Sequence, residues 1–166
     1  QLSKGYCFSY DMLGESARSN EEQKLYFQRY SDAITVIGQH DTDSSTIPSI
    51  SVKLSALHCR YSAQQHDYVV SALVPQLKKL ALLAKQYNVD LTIDAEESDK
   101  LDISLDIFEG VFSDKDLAGW QGFGLAVQAY QKRASTVIDW LIELAEKHSR
   151  KISVRLVKGA YWDAEI

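Results

Sequence analysis

Ile152-Ser153-Val154-Arg155-Leu156-Val157-Lys158-Gly159-Ala160-Tyr161-Trp162 is the stretch on which the fold turns. It reads as a buried β-strand carrying two cations where apolar residues belong. A strand covered on both faces is a nearly continuous hydrophobic run, and a buried charge is costly unless it is paired or used. The irregularity recurs upstream. Ser51-Val52-Lys53-Leu54-Ser55 holds a lysine, Leu91-Thr92-Ile93-Asp94-Ala95 an aspartate, and Ala126-Val127-Gln128-Ala129 a glutamine. Polar groups at the C-terminal ends of short apolar strands mark the active-site end of a parallel barrel.

Working outward, the chain alternates strand and helix signals. Strands are expected over residues 6–10, 50–54, 91–95, 123–129 and 152–157. Ser19-Asn20-Glu21-Glu22 is a capping-box start, and the helix behind it carries Leu25, Tyr30, Ala33, Ile34 and Ile37, with Gly38 as its terminator. Residues 39–47 read as a loop. A helical region spans about 64–87, where Pro75 is expected to break or kink it. Leu101, Leu105, Ile107 and Phe108 mark the next helix. Another begins near Ser135 and carries Ile138, Leu141, Ile142 and Ala145. Helix-length connections demand parallel strands with right-handed crossovers. Periodicity does not give strand order, so a doubly wound sheet and a barrel both remain open. Five units fall short of an eight-fold barrel, which takes about 250 residues. The expectation is therefore that residues 1–166 are the N-terminal part of a larger barrel.

Composition narrows the function classes. The 166 residues suffice for one domain, and the apolar (45%) and charged (25%) fractions are those of an ordinary globular protein. A net charge of -5 without a basic stripe argues against general nucleic-acid binding. No apolar run spans a bilayer, and no signal-peptide pattern opens the chain, which suggests a cytoplasmic protein. Cys7 and Cys59 form neither a metal spacing nor a disulfide framework. His40, His58, His66 and His148 are scattered, without the clustering a metal site needs.

Gly119-Trp120-Gln121-Gly122-Phe123-Gly124 has the wrong spacing for a dinucleotide fingerprint and precedes a strand, so it reads as a turn. In Asp94-Ala95-Glu96-Glu97 the last carboxylate suits a helix N-terminus. Asp94, which interrupts an apolar strand, is a candidate functional group. Lys53 is either a snorkelling edge residue, an anion-pairing cation or a Schiff-base amine. Arg155 cannot lose its proton, so it serves as a fixed positive charge. Lys53, Arg155 and Lys158 together suit an anionic substrate and an electron-rich cofactor, with the Gln128 amide suited to a heteroaromatic edge.

At these residues the chain resembles the proline dehydrogenase family, most closely the barrel of its bifunctional bacterial members, the proline utilization A group. Five blocks carry the resemblance in family order: Ser9-Tyr10-Asp11-Met12-Leu13-Gly14-Glu15, Ser51-Val52-Lys53-Leu54-Ser55-Ala56-Leu57-His58, Ile93-Asp94-Ala95-Glu96-Glu97-Ser98, Val127-Gln128-Ala129-Tyr130-Gln131-Lys132-Arg133, and Arg155-Leu156-Val157-Lys158-Gly159-Ala160-Tyr161-Trp162-Asp163. The resemblance implies a (β/α)8 TIM-type barrel, of which this chain supplies about the first five units. It implies FAD as cofactor, oxidation of L-proline to Δ1-pyrroline-5-carboxylate, and electron transfer to a membrane quinone with possible peripheral membrane contact. By position it implies Asp94, Arg155 and Tyr161 as active-site residues, with Arg155 near the reactive edge of the flavin. Lys53 is implied to pair with the proline carboxylate and Glu15 to gate the site. Ala95, Gln128, Lys158, Gly159 and Ala160 are implied to line the flavin.

The resemblance has gaps. The family's last barrel helix, with its carboxylate-binding arginines, is not in this chain, nor is the fused aldehyde dehydrogenase module of the bifunctional members. The chain alone is therefore expected to be inactive. Cys59 stands where the family pattern has proline, which should alter a loop and spare the chemistry. Two rival readings are a Schiff-base barrel lyase using Lys53 or Lys158, and a non-enzymatic fragment or interaction surface.

Overall fold

The structure is a computed structural model describing residues 8–14, 16–40 and 46–165. Five strands, β1 (Ser9–Asp11), β2 (Ser49–Val52), β3 (Asp90–Ile93), β4 (Phe123–Gln128) and β5 (Ser153–Val157), form one sheet. All pairs are parallel and the spatial order is β1-β2-β3-β4-β5. A doubly wound sheet reverses its strand order; this one never does. It is the winding of a barrel, of which the five strands form a curled part.

The curl is visible in one side chain. Neighbouring strands lie about 4.8 Å apart, so β2 and β5 would be some 14 Å apart in a flat sheet, beyond the reach of an arginine. Yet Arg155 on β5 donates to Ser51 Oγ on β2 at 3.0 Å. The two meet across the concave face.

Side-chain alternation divides the strands into two sets. Ile50, Val52, Leu91, Ile93, Phe123, Leu125 and Val127 belong to the hydrophobic core shared with the helices. The alternate positions are small or polar: Asp11, Ser51, Thr92, Gly124, Ala126, Gln128, Ser153 and Arg155. They face the inside of the arc.

The helices lie on the convex side. They are α1 (Asn20–His40), a single turn α2 (Leu54–Leu57), α3 (His66–Tyr87), α4 (Leu101–Phe112), α5 (Ala134–Lys147) and a closing turn α6 (Trp162–Glu165). Ser19 Oγ accepts from Glu22 N at 3.2 Å, and the Glu22 carboxylate reaches back to Arg18 N at 2.7 Å, so the expected cap starts α1. Fully buried Tyr30, Ile34, Leu73, Leu77, Leu80, Phe108 and Phe112 fill the core. Phe108 stacks on Phe123 of β4 with ring centroids 4.9 Å apart, which fixes α4 against the sheet.

Four expectations need correction. Pro75 does not divide α3, which runs unbroken from His66 to Tyr87. Its ring is exposed, so the carbonyl it leaves without a donor faces water. Gly38 does not end α1, which continues to His40. It is a glycine because a Cβ there would lie 2.5 Å from Tyr87 Cβ; it lets two helices approach. Leu54 opens α2 instead of extending β2. Finally, β5 is not buried: it pairs with β4 alone, and Val154 and Leu156 are 39% and 63% exposed. The glycine-rich stretch is a turn into β4, as read, with Gly119 at φ 77°.

Candidate active site

β2 and β3 deliver Lys53 and Asp94 just past their last paired residues, whereas Asp11, Gln128 and Arg155 lie within the paired parts of β1, β4 and β5. The β2 register pairs Val52 with Ile93, and that of β4 pairs Ala126 with Arg155. Lys53, Asp94, Ala126 and Arg155 therefore share one layer at the C-terminal ends, and Asp11 on β1 stands beside Ser51, two residues before Lys53. Asp94 N donates to Val52 O at 2.9 Å, extending the ladder by one bond and fixing where its carboxylate emerges.

Asp94 is the hub. Its Oδ2 accepts from Lys53 Nζ at 3.2 Å, and its Oδ1 accepts from Arg155 Nη2. Lys53 Nζ also donates to Asp11 Oδ1 at 3.0 Å. The Asp94 side chain is only 11% exposed and that of Lys53 17%, while Arg155 at 43% opens towards solvent. Burial alone would lower the Lys53 pKa, but the hydrogen bond to Asp11 and the charge of Asp94 outweigh it and hold the amine well above the usual lysine range. A Schiff-base lysine needs the opposite shift. Lys53 is a cation here, and two of its three N–H bonds are taken by carboxylates.

Tyr30 supports the lysine from below. Its hydroxyl, on a fully buried ring of α1, accepts from Lys53 N at 3.2 Å. Burial pushes the phenol pKa up to about 12, so the neutral form holds the turn.

A second set of bonds joins the loops around the hub. Gln128, 4% exposed, donates from Nε2 to Glu96 O at 2.9 Å and accepts at Oε1 from Ala160 N at 3.0 Å. Its amide is spent on backbone, binding the turn after β3 to the loop after β5. Glu96 in turn accepts from Ser55 N at 3.1 Å, and burial raises its pKa. Gly159, at φ 123°, lies so close to the Tyr130 ring that a Cβ would sit 1.9 Å from it. Glu165 accepts from Ser98 N at 2.5 Å and from Tyr130 Oη, securing the loop that carries Lys158 to Tyr161.

These groups open on a cleft of about 570 Å³ lined by Lys53, Asp94, Ala95, Gln128, Arg155, Lys158, Gly159, Ala160 and Tyr161, together with Asp11, Ala126 and Val157. All the site residues expected from sequence are thus brought together except Glu15, which lies outside the described residues. Asp11, Ser51 and Tyr30 were missed as functional residues. Ser51 stands two residues before Lys53, hence on its face of the strand, but a serine there is not a signal by itself. Tyr30 had none, because on its own helix it is one more core position. Among the described residues no His, Cys, Asp and Glu group could hold a metal ion, and Cys59, whose N donates to Gln23 Oε1 at 3.2 Å, lies in a different groove, outside this cleft.

A parallel arc with a cation-rich mouth is common to many barrels, so the fold alone does not fix the chemistry. Comparison with known proteins identifies the family. The whole chain, residues 1–166, matches the family model described as Proline dehydrogenase. The chain belongs to the proline dehydrogenase family. It is 52% identical over 165 residues to the bifunctional protein PutA of Escherichia coli, an alignment covering 98% of this chain and 12% of that protein. It is 30% identical over 157 residues to proline dehydrogenase 1 of Bacillus subtilis subsp. natto, covering 95% of this chain and 45% of that protein. A crystal structure of a PutA mutant from Bradyrhizobium japonicum superimposes with a TM-score of 0.92 and 50% identity, over 99% of this chain and 18% of that one. The chain thus spans 12% of the length of the first of these relatives.

Proposed function

We propose that this chain forms the first five units of a proline dehydrogenase barrel within a longer protein, and that its cleft belongs to the site oxidising L-proline to Δ1-pyrroline-5-carboxylate with FAD. The observation that carries the proposal is the Asp94 hub at the C-terminal ends of the strands in a chain of this family.

The residues present fit a flavin. Ala95, Ala126, Gly159 and Ala160 leave the mouth wide enough for a flat ring system. Three cations face two carboxylates among the described charged residues lining it, a positive surplus suited to an electron-rich ring. Arg155 and Lys158 would hold that ring, along with the backbone of Gly159 and Ala160. When bound, the flavin supplies the two-electron acceptor, which protein side chains lack.

The chain's own residues then have separable tasks. Lys53 has one N–H left after Asp11 and Asp94, and it suits the proline carboxylate; fixing that end orients the ring carbon beside nitrogen. Arg155 and Lys158 preorganise positive potential where negative charge accumulates. Asp94 keeps both cations in place and neutralises part of their charge. The ammonium proton of proline leaves to solvent. Electrons pass onward to a quinone, and a fused aldehyde dehydrogenase module would take the product. No helix among the described residues is long and apolar enough to cross a membrane.

The test uses the intact protein. It should be yellow and reduce a dye or quinone analogue when given L-proline. A colourless protein whose lysine is trapped by borohydride with a keto acid would replace this reading with a lyase. The raised pKa of Lys53 speaks against that result.

A further inference from the structure

Inner positions of a barrel are usually filled by bulky branched side chains. Ser51 is an inner position, 1% exposed, and a serine. A buried hydroxyl needs a partner, and Ser51 finds it three strands away, in Arg155 Nη1 at 3.0 Å. The path between them is cleared by sequence. Ala126 pairs with Arg155 on β4, and Gly124 pairs with Thr92, the neighbour of Ser51. A long side chain at either position would stand between the guanidinium and its partner.

Two anchors hold the guanidinium: Ser51 on Nη1 and Asp94 on Nη2. Their chemistry differs. Asp94 draws on the charge of Arg155 and shares its carboxylate with Lys53. Ser51 contributes direction without charge. Two anchors on different strands fix both the position and the plane of a rigid fork, which one anchor does not. Three N–H bonds of Arg155 remain for the cleft.

We propose that Ser51 is a positioning residue for proline oxidation: its hydroxyl sets the plane of the Arg155 guanidinium towards the cleft without adding to the neutralisation of its charge by Asp94. The inference rests on the proposed proline-oxidising function.

The experiment compares Ser51→Ala and Ser51→Thr with the wild-type intact protein by rapid-mixing measurement of flavin reduction, proline affinity and melting temperature. Ser51→Ala should reduce the rate of flavin reduction about tenfold, the loss of one hydrogen bond to a charged group. Proline affinity should stay within about twofold, because Lys53 is untouched. Ser51→Thr keeps the oxygen and should recover most of the rate. A wild-type rate in Ser51→Ala would overturn the assignment. So would equal losses of rate, affinity and melting temperature in both variants, which signify a packing role. If the wild type itself leaves proline unoxidised, it is the proposed function that fails, and the two failures are distinct.

Discussion

Asp94 and Arg155 stand two strands apart in the sheet, yet the carboxylate of one accepts a hydrogen bond from the guanidinium of the other, while its second oxygen takes Lys53 at 3.2 Å. Asp94→Asn keeps the shape and removes the charge that both cations share. Lys53 and Arg155 are then under-neutralised at a partly buried site. Stability should fall by about 2–4 kcal/mol, below the roughly 3–5 kcal/mol for breaking a fully buried pair because Arg155 is 43% exposed, as read by urea denaturation. An unchanged midpoint would mean that the hub contributes nothing to folding.

The two cations should separate kinetically in the intact protein. Arg155→Met removes the positive potential and should slow flavin reduction at least about tenfold with a smaller loss in proline affinity. Lys53→Met removes a charged hydrogen bond to the substrate and should weaken proline binding by about 10–100-fold. Identical profiles for the two variants would refute the division of labour.

Tyr30 makes stability depend on alkaline pH. Its folded pKa of about 12 lies above the ordinary value of 10.0. The folded state therefore holds the proton more tightly than the unfolded one. Its contribution is complete below pH 10 and is lost as pH rises towards 12. Tyr30→Phe should abolish that part of the alkaline loss. At neutral pH it should cost about 1–3 kcal/mol, because Lys53 N loses its acceptor. Denaturation curves at pH 8 and pH 11 for both proteins decide the matter; parallel pH profiles would count against it.

Gly159→Ala should be disruptive out of proportion to one methyl group. The backbone sits at φ 123°, and the added Cβ would meet Tyr130 ring atoms at 1.9 Å. The loop must move, taking Lys158 and Ala160 with it. Flavin affinity in the intact protein should drop at least tenfold, on the scale of about 1.4 kcal/mol or more. Wild-type affinity would show that this loop does not touch the cofactor.

Much of the fold was legible because each unit is locally consistent. The Ser19 cap, the Tyr30 and Ile34 spacing in α1 and the apolar strands β2 to β4 agree with one another. The face read for α5 was turned: Val137, Leu141 and Leu144 are buried and Ile142 is 51% exposed. Gly38 was misjudged because a glycine that ends a helix and one that admits a neighbouring helix look alike in one dimension. Pro75 was misjudged because its cost depends on whether its ring faces core or solvent. The lysine, aspartate and arginine of the site announced themselves as polar interruptions of apolar strands. Ser51 did not, since a serine in a strand is unremarkable until its partner, 104 residues away in sequence, is known. Strand order and curvature are tertiary properties, and no local period encodes them.

The row Asp11, Lys53, Asp94 and Arg155 alternates in sign across the concave side of the sheet. Attraction along such a row acts as a tie between the two edges, drawing β1 and β5 towards each other, while the side chains packed on the convex side resist tighter bending. The width of the mouth is then a mechanical balance set partly by four ions. A substitution that alters one of these charges is then expected to be felt at the other three, including those on strands it never touches.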